Sequence, residues 1–209
     1  MEIVIASRNR GKAAEIAALL GQFDVQVLTM DSFPEIGDIP ETGTTFEENA
    51  LIKARTVARL TGMIAMADDS GLEVEALGGA PGVYSARFSG PDATDESNNA
   101  LLLAKMEGVP QKSRQARFVS VIAVHAPVQG GKELLARGSW SGQIALRPLG
   151  ENGFGYDPLF LDEELGLTSA QLLPEQKNAR SHRAAAMMEL ARFWPDFLRE
   201  MRLPEDLPR

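Results

Sequence analysis

Apolar positions recur with two periods along this chain. Short, mostly apolar runs occur at Ile3-Val4-Ile5-Ala6, Val25-Gln26-Val27-Leu28 and Met63-Ile64-Ala65-Met66-Ala67. Runs of this length predict strands. Between the first two, Ala13, Ile16, Ala17 and Leu20 follow helical spacing, and Gly21 marks the stop. Thr45-Phe46-Glu47-Glu48 has the form of a capping box, with Thr45 as N-cap and Glu48 reaching back. The helix it opens is predicted to reach about Leu60, with Asn49 and Lys53 on one face.

Strand, helix, strand, helix, strand is the rhythm of a parallel α/β unit. Further on the pattern changes. Residues 71–94 carry Gly71, Gly78, Gly79, Pro81, Gly82, Gly90 and Pro91 and predict a long loop or flap. Thr94 to Met106 predicts a helix. Phe118–Val124 and Leu134–Trp140 predict two strands of an antiparallel hairpin turning at Gly130-Gly131. Residues 150–158 predict a second Gly-rich loop. A last helix is predicted from Ser181, with Ala184, Met187, Met188 and Ala191 on one stripe and Pro195 kinking or restarting it. The expected class is therefore α/β with a mixed sheet, in a single domain over residues 1–209.

Composition narrows the functional classes. The net charge of −8 argues against nucleic acid or an anionic membrane as partner. The absence of cysteine excludes disulfides, Cys-based zinc sites and a cysteine nucleophile. Two histidines, His125 and His182, are too few for a His-rich metal site. The first residues form a strand pattern without a basic, then apolar, leader, so cytoplasmic residence is expected.

Four stretches can carry chemistry. Ser7-Arg8-Asn9-Arg10-Gly11-Lys12 lies between a strand and a helix, where backbone N–H groups attract phosphate. Three basic side chains there oppose the helix dipole unless an anion is bound. It is not a Walker P-loop, because Ala6 stands where that motif needs Gly and Ala13 where it needs Ser or Thr. Asp68-Asp69-Ser70-Gly71 closes an apolar run; carboxylates at a strand's carboxyl end hold Mg²⁺ with phosphates, take a proton from water, or simply cap a helix. Phe154-Gly155-Tyr156-Asp157 offers rings for stacking on a nucleobase and an acid for its N–H, or else plugs its loop onto the core. Ser181-His182-Arg183 offers donors that favour an oxo group over an amino group, or is a plain helix start. Glu41 and Lys53, taken singly, read as surface residues.

Taken together and in order, these stretches resemble one family. Ser7-x-Asn9-x-x-Lys12, Glu41-Thr42-Gly43-x-Thr45-Phe46-x-Glu48-Asn49-Ala50-x-x-Lys53-Ala54 and Ala67-Asp68-Asp69-Ser70-Gly71-Leu72 are similar to motifs of the inosine triphosphate pyrophosphatases, also called dITP/XTP pyrophosphatases. So are Gly78-Gly79-Ala80-Pro81-Gly82-Val83-Tyr84-Ser85-Ala86-Arg87, Gly153-Phe154-Gly155-Tyr156-Asp157-Pro158 and Lys177-Asn178-x-x-Ser181-His182-Arg183. The resemblance spans residue 3 to about 200. It implies an elongated mixed sheet flanked by helices, two lobes with a deep cleft, and a homodimer. It also implies Mg²⁺-dependent hydrolysis of ITP, dITP and XTP to the monophosphate and pyrophosphate. Carried over by position, Ser7, Arg8, Asn9, Arg10, Gly11, Lys12 and Lys53 would hold the triphosphate. Glu41 and Asp69 would hold Mg²⁺, with Asp69 the proton acceptor. Ser70 would contact the substrate, and Phe154, Gly155, Tyr156, Asp157, Lys177, His182 and Arg183 would form the base and sugar end. Two other readings remain: a Maf-like pyrophosphatase with other base preferences, and a nucleotide-binding module without turnover.

Overall fold

The computed structural model describes residues 1–202; residues 203–209 of the expected domain lie outside it. Seven strands, β1 (Glu2–Ile5), β2 (Gln26–Thr29), β3 (Ile64–Val74), β4 (Gln115–Ala126), β5 (Lys132–Ile144), β6 (Phe160–Asp162) and β7 (Leu167–Thr168), lie in one sheet in the order β2-β1-β3-β4-β5-β6-β7. Five α-helices accompany them: α1 (Arg10–Leu19), α2 (Phe46–Thr61), α3 (Asp95–Lys105), α4 (Pro174–Arg180) and α5 (His182–Arg202). β1 pairs in parallel with β2 and β3, whereas β6 pairs antiparallel with β5 and β7. The expected α/β class with a mixed sheet is thus what the chain adopts. Among the described residues no helix is long and apolar enough to cross a membrane.

The chain divides into two compact units. The first holds Met1–Asp69, Val121–Gly138 and the chain from Ala186 on. Its core packs Ile3 and Ile5 of β1, Ile16 of α1, Met66 of β3, Ile122 and Val124 of β4, and Met187, Leu190 and Trp194 of α5. β1 connects through α1 to β2 on one side, and β2 through α2 to β3 on the other. Crossovers between parallel strands are right-handed, so this reversal puts α1 and α2 on opposite faces of the sheet. The crevice between β1 and β3 is then a topological switch point, where open α/β sheets bind ligands.

The second unit holds Ser70–Ser120 and Ser139–Ala185. Its core packs Leu72 and Val74, Leu102 and Met106 of α3, Phe118, Trp140, Tyr156, Leu159 and Phe160. Phe160 sits in this cluster with its ring 4.5 Å from that of Phe118 and 4.9 Å from that of Trp140.

Several elements depart from the pattern-based expectation. β3 does not end before the acids. It runs on through Asp68, Asp69, Ser70 and Gly71 to Val74, with eight of its eleven residues buried. The polar run therefore belongs to the sheet, and its side chains find partners there. Residues 71–94 are not one loop: they complete β3 and form 3₁₀ segments at Glu75–Leu77 and Gly82–Arg87, ahead of α3 capped by Thr94. β4 and β5 are longer than expected, and five residues join them, which admits only an antiparallel pairing. α5 continues through Pro195 without restarting. α4 and the short strands β6 and β7 were not anticipated; two- and three-residue strands leave almost no periodic signal.

Candidate active site

The capped start of α2 builds the first part of the site. Thr45 Oγ1 accepts from the Glu48 N–H at 3.2 Å, and Glu48 Oε2 accepts from the N–H groups of Thr44 at 2.6 Å and Thr45 at 3.3 Å. These bonds fix the loop that carries Glu41 onto the first turn of α2. One turn further along, Lys53 projects from the same face as Asn49. Its Nζ donates to Glu41 Oε1 at 3.0 Å, to Asp69 Oδ1 at 2.9 Å and to the carbonyl of Asp68 at 2.8 Å. Asn49 Nδ2 donates to the other Asp69 oxygen at 3.3 Å.

Asp68 and Asp69 are adjacent in a strand, so their side chains leave opposite faces of the sheet. This explains why each acid has a different lysine. Asp69 meets α2 through Lys53, whereas Asp68 meets Lys12 of α1, whose Nζ lies 3.3 Å from its Oδ2. Asn9 caps α1 by accepting from the Lys12 N–H at 3.0 Å. The first loop follows β1 directly, and β1 ends beside β3: the Ala6 N–H donates to the Met66 carbonyl at 2.7 Å.

Both carboxylates are buried. Burial raises the Asp69 pKa, against the pull of Lys53 and Lys12, and Glu41 adds to the rise. Burial works the opposite way on Lys53, but Asp69 and Glu41 outweigh it and hold the ammonium charged. Among these five groups, three carboxylates face two ammonium ions, so the cluster carries one negative charge in excess.

The donor set suits Mg²⁺, which binds through one or two carboxylates and completes its shell with water and substrate phosphates. Glu41 and Asp69, already converging on one ammonium, are such a pair. Among the described residues no group of three or more acidic or histidine side chains offers an all-protein cage, which Mg²⁺ does not need.

Not every residue of the first loop turns to this cluster. Arg8 donates to the Ile36 carbonyl and lies 4.0 Å from Asp38, which ties the first loop to residues 36–38. Arg10 is exposed, Ser7 and Gly11 are half-buried, and Gly11 lies in the first turn of α1.

The residues expected at the base end gather in the second unit, in roles the sequence only partly indicated. Phe154 is half-buried, and the cations of Lys177 and Arg183 stand over its ring, 4.8 and 5.4 Å from the centroid. Arg183 also donates to Ser70 Oγ at 2.7 Å. Asp157 is buried and committed to its own neighbours. Its Oδ2 accepts from Lys177 Nζ at 2.6 Å and from the Phe154 N–H at 2.9 Å, and its Oδ1 from Ser169 at 2.9 Å. Tyr156 belongs to the core; its hydroxyl donates to the Ser85 carbonyl at 2.9 Å, and burial raises its pKa above the ordinary range. His182 is buried with its ring stacked on Phe118, 4.8 Å between centroids. Gly155 is held from both sides, its N–H donating to Asp95 at 2.6 Å and its carbonyl accepting from Asn99 at 2.8 Å.

Sequence reading missed the supporting partners Phe118, Ser169, Asp95 and Asn99. Phe118, Asp95 and Asn99 lie more than fifty residues from the ones they hold and Ser169 lies twelve from Asp157, so no local pattern marks them.

With this architecture and these clusters in place, the chain can be assigned to its family. The Ham1 family model matches residues 3–193, and the chain belongs to the Ham1 family. A protein of Nitratidesulfovibrio vulgaris named dITP/XTP pyrophosphatase is 55% identical over 94% of this chain and 97% of its own length. One of the same name from Nocardia farcinica is 51% identical over 90% of this chain and 92% of its own length. A relative from Streptococcus pyogenes is 51% identical, but the chain spans only 58% of that protein's length. Among solved structures, a HAM1 protein from Coxiella burnetii superposes with a TM-score of 0.84 at 43% identity, covering 94% of this chain and 99% of that one. A nucleoside-triphosphatase, dITP/XTP pyrophosphatase, from Mycobacterium abscessus gives 0.72 at 47% identity, covering 90% and 97%.

Proposed function

We propose that this protein is a nucleoside triphosphate pyrophosphatase. It would hydrolyse ITP, dITP and XTP to the monophosphate and pyrophosphate, clearing deaminated purines from the nucleotide pool. The observation that carries the reading is the Lys53 ammonium shared by Glu41 and Asp69 beside the Lys12–Asp68 pair. Carboxylates and ammonium ions so interleaved suit a ligand that brings both a cation and phosphates. The names of the full-length relatives agree with it.

In this reading Glu41 and Asp69 would hold Mg²⁺, and the loop Ser7–Lys12 with Lys53 would lie along the triphosphate. Bound Mg²⁺ would supply Lewis-acid charge to the phosphoryl oxygens. Asp69, kept from full solvation by burial, takes the proton of a water whose oxygen bonds to the α-phosphorus. The anhydride bond to the β-phosphate breaks and pyrophosphate leaves. Lys12 and Lys53 neutralise charge that builds on the phosphates. Phe154 offers a stacking face to the purine. Arg183, held against Ser70 and Phe154, offers donors that an oxo group at purine position 6 accepts and an amino group does not. Asp157 acts indirectly, through Lys177 and the Phe154 backbone.

We further propose that the whole chain works as one catalytic domain, as a homodimer in the cytoplasm, with neither nucleic acid nor membrane as partner. Pyrophosphate release from ITP, dITP and XTP with Mg²⁺, beside ATP, GTP and dTTP, is the deciding assay. Release of orthophosphate in place of pyrophosphate, or equal turnover of ATP and ITP, would overturn the proposal. A preference for dTTP would favour a Maf-like enzyme instead.

A further inference from the structure

We infer that Asn49 is a positioning residue that locks the Asp69 carboxylate and the Glu41 loop into one arrangement; this rests on the roles proposed above for those two acids. Asn49 is fully buried in the first turns of α2. Both ends of its amide are used. Nδ2 donates to Asp69 Oδ2 at 3.3 Å, and Oδ1 accepts from the Gly43 N–H at 2.8 Å. The orientation of the amide is unambiguous. A backbone N–H only donates and a carboxylate only accepts, so the flipped amide would set donor against donor and acceptor against acceptor.

The contact to Gly43 is close-packed. A Cβ at position 43 would lie 2.6 Å from Glu48 Cβ and 2.7 Å from Asn49 Oδ1. The backbone two residues after Glu41 is therefore pressed onto Asn49. One amide thus spans the two carriers of the proposed metal-binding acids: the loop of Glu41 on one side and Asp69 Oδ2 on the other. Lys53, one helical turn on, holds Asp69 Oδ1. With both its oxygens tied to α2, the Asp69 carboxylate cannot rotate about its terminal bond without losing both bonds. A fixed base and ligand is what rate acceleration by orientation requires.

A merely structural Asn49 and a positioning Asn49 respond differently to one atom. Asn49→Asp keeps the shape and the acceptor for Gly43 but replaces the N–H aimed at Asp69 with a second carboxylate oxygen. If Asn49 only stitches the loop, the added buried charge lowers the unfolding temperature but the folded variant turns over ITP within about threefold of wild type. If it orients Asp69, ITP turnover falls by about tenfold or more while the calorimetric Kd of a non-hydrolysable inosine triphosphate analogue stays within about fivefold. The exchange variant Asn49→Asp with Asp69→Asn restores a donor facing an acceptor. It should recover at least about half of any drop in unfolding temperature that Asn49→Asp causes, although it stays inactive. Should Asn49→Asp not fold alone, recovery of folded protein in the exchange variant is the same result. Turnover within about threefold of wild type, a parallel loss of binding and turnover, or no recovery on exchange would each overturn the inference. A wild-type protein inert toward every nucleotide would instead sink the proposed function, and the exchange measurement would still decide whether Asn49 orients Asp69.

Discussion

Replacing Lys53 with methionine separates the electrostatic account from a generic packing account. Methionine keeps most of the apolar stem and removes the charge. Three oxygens then lose a donor held at 2.8–3.0 Å. The side chains of Lys53 and Asp69 are 11% and 8% exposed, so water does not readily replace that donor, whereas Glu41 at 29% is better served. Removing one partner of a buried pair costs about 3–5 kcal/mol, and the exposure of Glu41 places this case near about 3 kcal/mol. For a chain of this length each kcal/mol moves the unfolding midpoint by about 2–4 °C, so a fall of roughly 6–12 °C is expected in EDTA. The variant cluster has a second uncompensated negative charge and should take up a divalent cation more readily than the wild type. At a hundredfold excess over its Kd, Mg²⁺ would stabilise the variant by about 2.7 kcal/mol over its value in EDTA. Thermal unfolding of both proteins in EDTA and in saturating MgCl₂ is the assay. A Lys53→Met midpoint that is the same in MgCl₂ as in EDTA would refute the reasoning, since it would mean that Glu41 and Asp69 do not share a cation.

Four other outcomes are expected. Asp69→Asn should keep affinity for a non-hydrolysable inosine triphosphate analogue and lose about 10²–10⁴ in turnover, measured as pyrophosphate release. Arg183→Ala should narrow the ratio of kcat/KM between ITP and ATP; an unchanged ratio would place base reading elsewhere. Gly153→Ala puts a Cβ 2.0 Å from Asp157 Oδ2 at a φ of +81°, so it should weaken the Asp157–Lys177 pair, raise KM for ITP and lower the unfolding midpoint. Asp162 supplies a pH test. Burial alone would raise its pKa, but the Leu165 N–H, Trp140 and Arg180 together hold it below the ordinary 3.8. A depressed acid stabilises the fold above its unfolded pKa and loses that contribution as pH falls through the lower folded value. The unfolding midpoint should therefore drop below about pH 4 in the wild type, and less steeply in Asp162→Asn.

How much of this was legible in the sequence depended on whether the determining contacts were local. The α2 capping box lies within four residues, and its start was read to the residue. The shared face of Asn49 and Lys53 follows from helical pitch alone, and the structure brings both onto Asp69. The end of β3 was misread because Asp, Ser and Gly usually close strands. Their burial here depends on Lys12, Lys53 and Arg183, which come from three separate helices. For Asp157 and Tyr156 the pattern leaves two roles open, a ligand contact or a plug onto the core; the partners that hold them, Ser169, Lys177 and Ser85, lie 12, 20 and 71 residues away.

The extension of β3 through the twin acids also has a mechanical consequence. Side chains at a strand's end sit on backbone free to fray, whereas Asp68 and Asp69 sit within an eleven-residue strand. Alternation along that strand sends one carboxylate to the α1 face and the other to the α2 face, which the opposed crossovers make available. The Lys12 pair on one side and the Lys53 pair on the other then hold the acids from both faces of the same sheet. Two neighbouring acids on a helix or loop could share one lysine and repel each other; here the pleat separates them while the backbone keeps them in fixed register. A strand ending at Ala67 would have left their positions to a flexible turn. The departure from the expected strand boundary is therefore what lets a pair of adjacent carboxylates hold two different roles, one oriented by α2 and one committed to Lys12.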